Sequence, residues 1–191
     1  MTDETDLRRF ERLALPHLDA AWNLARWLTR DEQDAQDVVQ EAMLRALRYF
    51  ASFRGENARP WLLAIVRNTC MAWLKNNRPA LLLPLDDDDE EGPQLPAPER
   101  DEPHVAAALR DERAQVNRAL AALPVHYREV LVLRELEDLS YRDIATIAQV
   151  PVGTVMSRLA RAREQLRAAL QPEARPGLRA VPRAANGEGR R

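Results

Sequence analysis

Six consecutive carboxylates, Asp86 to Glu91, run into Pro93, Pro96, Pro98 and Pro103, and no other feature constrains the fold so strongly. Adjacent like charges repel, and proline withholds the N–H that helices and sheets need, so no regular element is expected through this segment. The chain therefore reads as two bodies, residues 1–80 and 104–171, joined by a flexible acidic linker over 81–103. Charge follows the same division. Residues 1–80 carry 12 basic and 11 acidic side chains, the linker 9 acids against Arg100 alone, and residues 104–191 carry 15 basic and 10 acidic ones. The net charge of -2 thus hides a basic C-terminal half, and a nucleic-acid partner is permitted once charge is read by segment. The stretch 172–191 holds proline, glycine and five arginines without apolar periodicity and is expected to be a disordered basic tail.

Both halves show helical spacing, and no alternating run is long enough for a strand. The fold class is all-α: two small helical domains, the second containing a helix-turn-helix. In the first half, Leu7, Phe10 and Ala14 share a face, and Pro16 opens a segment with Leu18, Ala21, Trp22, Ala25 and Leu28 on one side. Asp34, with Asp37 three positions on, is expected to cap the next helix, whose inner face holds Val38, Ala42, Leu47 and Tyr49 or Phe50. Ser52-Phe53-Arg54-Gly55 reads as a turn. Pro60 starts a helix with Trp61, Ile65, Thr69 and Ala72 or Trp73 inward, ended by Asn76-Asn77-Arg78-Pro79.

The second half begins with a helix marked by Val105, Ala108, Val116, Leu120 and Leu123 and ended by Pro124, then another from Val125 to Glu135. Ser140 with Asp143 signals a short capped helix, Gln149-Val150-Pro151 a turn, and Val152 to about Leu170 a longer basic helix. Two helices crossing steeply need a small residue where they meet, which Ala145 supplies; Val150 fills the corner, and Val155 and Leu159 point inward. The outer face then offers Thr154, Ser157, Arg158 and Arg161 for DNA: arginine can pair with guanine bidentately, and hydroxyls suit phosphates or base edges. A helical hairpin with solvated arginines has the same spacing.

At these residues a resemblance becomes specific. Leu123-Pro124 through Arg134-Glu135-Leu136, Leu139 to Ala145 and Pro151 to Val155 look like region 4 of the extracytoplasmic-function (ECF) sigma factors, small two-domain members of the sigma-70 family. Asp34 to Ala42 resembles the part of that family that docks on RNA polymerase. Ser52 to Gly55 and Trp61-Leu62 to Arg67-Asn68-Thr69 resemble the segment that opens and reads the minus-ten element. The resemblance implies a sigma factor that binds core RNA polymerase and promoter DNA, with an anti-sigma factor, often membrane-bound, as a further partner. By resemblance, Asp34, Asp37, Gln40, Glu41 and Arg45 dock on the polymerase; Asp34 and Asp37 can equally serve as a helix cap. Asn68 is implied in a pocket for a flipped base, or it is a helix C-cap, while Arg54, Arg59 and Arg67 are candidates for the DNA backbone. Met156 and Ala160 depart from the family pattern, and Met156 cannot pair with guanine, which takes support from the usual GGAAC-like minus-thirty-five preference. The acidic linker is implied to thread toward the RNA exit channel, as an RNA-like polyanion or as a plain spacer.

Other classes fit less. A sigma-like decoy for an anti-sigma factor should lack the basic face around Arg158 and Arg161, and a simple helix-turn-helix regulator leaves the first half unexplained. His17, His104 and His126 are scattered, the lone Cys70 excludes an internal disulfide, and no glycine-rich phosphate loop or metal-spaced pair occurs. No enzyme activity, metal or cofactor is expected. With no apolar run of membrane-spanning length and a charged start, a cytoplasmic protein is expected.

Overall fold

The structure, a computed structural model, describes residues 4–55, 57–82 and 106–170. Most of the acidic linker and the tail 172–191 lie outside the described residues. Four helices build the first half: α1 (Glu4–Ala14), α2 (Leu18–Thr29), α3 (Glu32–Tyr49) and α4 (Ala58–Asn77). Four more build the second: α5 (Ala106–Ala122), α6 (Val125–Leu131), α7 (Tyr141–Ala148) and α8 (Val152–Leu170), with a π-helical turn over Val132–Leu136 after α6. Among the described residues there is no strand.

The junction of α2 and α3 shows how local chemistry sets the path. α2 ends on Arg30 in the left-handed conformation (φ 63°), a position that usually selects glycine. The cap of α3 is Asp31, whose carboxylate accepts the Asp34 N–H at 3.0 Å. The cap thus falls three residues before the expected Asp34, because Asp31 is the residue with extended backbone there. Arg78, at the end of α4, ties the same corner down: it donates to the Thr29 carbonyl and to the Asp34 carboxylate, both at 2.9 Å.

Burial follows the expected faces with informative exceptions. Ala21, Leu24, Ala25, Leu28, Ala35, Val38, Ala42, Ala46 and Phe50 form the interior of the first half, while Leu7, Leu18 and Tyr49 are exposed. On α4 the buried stripe is Leu62, Leu63, Val66, Cys70 and Leu74, whereas Trp61, Ile65 and Trp73 are only partly buried. The expected stripe was set by the aromatics. The actual one is broader because α4 is covered twice, by α2 and α3 on one side and by α7 of the second half on another. In the second half Val116 is exposed, and Val130 to Leu133, Ile144, Ile147, Val155 and Leu159 are buried. Arg128 is buried too. Its guanidinium donates to the carbonyls of Ala121 and Leu123 at 2.6 and 3.0 Å, filling acceptors left open at the end of α5.

The two halves are therefore not independent bodies on a tether. α2 packs on α6, α4 packs on α7, and the buried apolar side chains form one continuous cluster.

Cys70 lies wholly inside this cluster, and burial pushes its thiol well above the ordinary range. It should react with thiol reagents only when the first half opens. Labelling under native conditions should be slower than that of a small thiol by several orders of magnitude and accelerate across the unfolding transition. Rapid native labelling would refute this packing.

Candidate nucleic-acid interface

The helix-turn-helix forms as its caps dictate. Ser140 Oγ accepts the Asp143 N–H at 3.1 Å and donates to the Asp143 carboxylate at 2.6 Å, which fixes the start of α7. Gln149 ends it in the left-handed conformation, and Val155 N–H bonds back to the Pro151 carbonyl at 3.1 Å to start α8. Val155 and Leu159 are buried as expected, with Ala145 and Val150 packed against the core.

On the outer face, Met156, Ser157, Ala160 and Arg161 are exposed. Thr154 and Arg158 are half-buried. Arg158 is close enough to act electrostatically on Glu129 and His126; burial lowers the His126 pKa and the Arg158 charge lowers it further. The outward surface is thus centred nearer to Met156 and Ala160 than the assigned set of Thr154, Ser157, Arg158 and Arg161 implies. Met156 is 54% exposed, as single apolar side chains on a protein surface commonly are.

A second surface lies at the start of α4. Phe10, Phe50, Phe53 and Trp61 form an aromatic cluster with ring centroids 4.8 to 5.9 Å apart. Arg9 covers the Phe50 and Phe53 rings and donates twice to the Phe53 carbonyl, at 3.1 and 3.2 Å. Loop 50–55 is thereby clamped from below, leaving Ser52 and Arg54 exposed at its tip. At Gly55 a Cβ would lie 2.9 Å from the Phe53 ring, so a larger residue there would have to displace the end of that side chain. Asn68 lies in mid-helix, exposed, and accepts from Arg67 at 3.2 Å, so it is not the C-cap that its sequence context allows; Arg78 is.

Arg59 and Arg67 are engaged elsewhere. Arg67 Nε donates to Glu129 at 2.7 Å and Arg59 donates to Glu137 at 2.6 Å, both acids belonging to the second half. Asn23 of α2 also donates to Glu137, at 3.2 Å. Glu129 is fully buried, and burial raises its carboxyl pKa while Arg67 opposes the rise. These acids sit within a helical run of apolar residues, and no sequence signal distinguishes them from surface acids.

The third surface is the outer side of α3. Asp37, Gln40, Glu41 and Arg45 are exposed, with Glu41 and Arg45 paired at 2.7 Å. Asp34 is half-buried and bonded to Arg78, so of the five assigned residues it is turned most toward the fold. Beside this face an open groove of about 560 Å³ runs between α2 and α3, lined by Leu18, Trp22, Val39, Gln40 and Met43. The sequence places Leu18 and Trp22 on one apolar side of α2; the structure leaves that part of the side open, beside Val39 and Met43 of α3.

Both halves of the chain are similar to known proteins. Residues 13–79 match sigma-70 region 2 and residues 113–166 match sigma-70 region 4. The chain is 42% identical over 177 residues to the RNA polymerase sigma-H factor of Pseudomonas aeruginosa, covering 87% of this chain and 89% of that one. It is 40% identical over 149 residues to the ECF sigma-E factor of Escherichia coli K12, covering 73% and 75%. Among solved structures, the sigma factor RpoE of Bartonella quintana, in complex with the anti-sigma factor NepR, is 26% identical with a TM-score of 0.65, covering 87% of this chain and 99% of that one. CnrH, in complex with the cytosolic domain of CnrY, is 27% identical with a TM-score of 0.61, covering 86% and 88%.

The fold and its paired regions are those of a sigma-70 family transcription initiation factor. Within that family, the chain belongs to the ECF sigma factors. No helix among the described residues is long and apolar enough to cross a membrane.

Proposed function

We propose that this chain docks on core RNA polymerase through the outer face of α3 and the adjoining groove, and directs the enzyme to promoters read at two places. Asp37, Gln40, Glu41 and Arg45 form the docking face, with Asp34 at its inner edge. The outer face of α8, with Thr154, Ser157, Arg158 and Arg161, enters the major groove at the minus-thirty-five element. Loop 50–55 with Arg54, and α4 with Arg59, Arg67 and Asn68, receives the unpaired minus-ten strand. The protein acts without enzyme chemistry of its own, in the cytoplasm. The acidic linker separates domains 1–80 and 104–171. Similarity to the sigma factor RpoE, solved in complex with the anti-sigma factor NepR, supports an anti-sigma factor for this chain as well.

The observation that carries the reading is the coexistence on one chain of a capped helix-turn-helix with an exposed outer face, a clamped loop before α4 and an exposed amide on α4. Transcription assays with and without core enzyme test it. Promoter-selective transcripts should appear only when both proteins are present, and their absence in the complete reaction would defeat the reading.

Recognition at the minus-thirty-five element should follow the exposed residues of α8. Arg161→Ala should cost about 1–3 kcal/mol on the preferred sequence if it makes a bidentate base contact. Met156→Arg should shift the preferred sequence toward guanine by adding such a contact at the most exposed apolar position of the helix. Selection from a randomised promoter library reads both effects; an unchanged preference in both variants would reject this face.

A further inference from the structure

Arg163 has the outward marks of one more arginine for DNA. It is exposed, and it follows Met156 by seven residues, two turns along α8, so both side chains leave the helix on the same side. Its guanidinium is nevertheless engaged within the second half. Nε and Nη2 donate to one oxygen of Glu135, at 3.2 and 2.7 Å, and the Tyr141 hydroxyl acts on the same group. Glu135 belongs to the π-helical turn Val132–Leu136, and Tyr141 is the first residue of α7. The Arg134 guanidinium stands 5.4 Å from the centre of the Tyr141 ring and donates to the Leu139 carbonyl at 2.7 Å. One chain of contacts thus joins the π-helical turn, the loop before α7, the start of α7 and α8.

Both members of the Arg163–Glu135 pair are well exposed, so the pair adds little to stability. Its use is geometric. Val155, Leu159 and Ala162 hold α8 to the core by apolar contact, which has no preferred direction. A directed bond at Arg163 fixes the rotation and tilt that such packing leaves loose, and a binding constellation tolerates displacement of only about 0.5 Å. We propose that Arg163 is a positioning residue: bonded to Glu135 and Tyr141, it sets the angle at which α8 presents Thr154, Ser157, Arg158 and Arg161 to the minus-thirty-five element, and does not itself contact DNA. The inference rests on the reading of α8 as the helix that enters that element. Loss of Glu135 separates this role from its rival. If Glu135 restrained an arginine that otherwise takes a phosphate, Glu135→Gln would free it and tighten binding on every sequence. As the anchor of a positioning bond, Glu135 is needed for discrimination, and Glu135→Gln weakens the preferred sequence alone.

The full chain is assayed with core polymerase on two promoters that differ only at the minus-thirty-five element. One carries the sequence that the parent selects from a randomised library, the other a scrambled one. The ratio of open complexes on the two should fall about tenfold for Glu135→Gln and for Arg163→Gln, the loss expected when about one base contact is misplaced. The double variant should fall no further, because both changes break the same bond. Tyr141→Phe should lower the ratio in the same direction, and it keeps the test open if an ionic variant fails to fold. Arg167→Gln removes an exposed arginine one turn further along α8 and should leave the ratio near that of the parent. Core affinity should not change in any of them. Arg163→Gln should also keep the salt dependence of the parent; a logarithmic slope shallower by about one would reveal a phosphate contact and overturn the proposal. Folded Glu135→Gln and Arg163→Gln chains with the ratio of the parent would overturn it too, as would losses that add in the double variant or an equal fall from Arg167→Gln. A parent that selects no minus-thirty-five sequence defeats the reading of α8 itself. A parent that selects one, with variants that discriminate equally well, defeats only the positioning role.

Discussion

Phe50→Ala is expected to destabilise the chain by about 3–5 kcal/mol, the cost of emptying a fully buried aromatic site. The upper part of that range applies because the surroundings have little freedom to collapse. Phe50 packs edge-on to Phe10 at 5.2 Å and to Trp61 at 5.9 Å, and lies beside Phe53 at 5.9 Å. Arg9 stands 5.1 Å from its ring centre. Arg9 is also held to the Phe53 carbonyl, so the void opens beneath the loop that presents Ser52 and Arg54. Promoter opening should therefore fall further than the loss of folded protein explains. Denaturant titration followed by tryptophan emission measures the first effect, and opening rates at a temperature where the variant stays folded measure the second. Phe50→Leu should recover most of both. A stability loss below about 1 kcal/mol would show that this cluster does not support the loop.

The helices of both halves were legible because their periodicity and punctuation agree. Ser140 with Asp143, the Pro124 boundary and the Asn77-Arg78 stop each fix an element end by local chemistry, which needs no knowledge of the fold. The inward Val155 and Leu159 follow from the same logic. What sequence could not supply was the relation between the halves. The acidic run argued for separation, and that argument concerns only the residues that carry it; whether distant surfaces match is decided by side chains far apart in the chain. Glu129 is the clearest case. It stands beside Arg128 in a run that reads as a helix with two charged residues facing water, yet Arg128 turns inward to carbonyls and Glu129 to Arg67. The misplaced stripe on α4 has the same origin, since a helix covered on two sides buries more than one row. For the candidate site, the sequence offered candidates for DNA contact, but not that two of them, Arg59 and Arg67, are bonded to carboxylates of the other half.

Arg67→Ala should be the most damaging single change at the junction, and its effect should depend on pH. With the halves closed, the variant leaves Glu129 fully buried with neither oxygen paired, a situation that costs about 3–5 kcal/mol when the carboxylate stays charged. The chain has two ways to reduce this: the halves separate, or Glu129 takes up a proton. Burial already raises the Glu129 pKa, and the charge of Arg67 and its hydrogen bond are the two largest influences opposing that rise. Without Arg67 the carboxyl is pushed higher still. A carboxyl with a raised folded-state pKa holds its proton in the native state after the unfolded state has lost it, so stability is greatest at acid pH and declines as pH rises through the folded-state value. The stability gap between parent and Arg67→Ala should thus be small near the ordinary carboxyl range and widen toward neutral pH. Adding Glu129→Gln to Arg67→Ala should remove that widening, because no charge remains to be buried. Denaturant midpoints for parent, single and double variants across this pH interval provide the measurement. A gap that stays constant with pH, or that the second substitution does not alter, would mean that Glu129 is not charged against Arg67 in the folded chain.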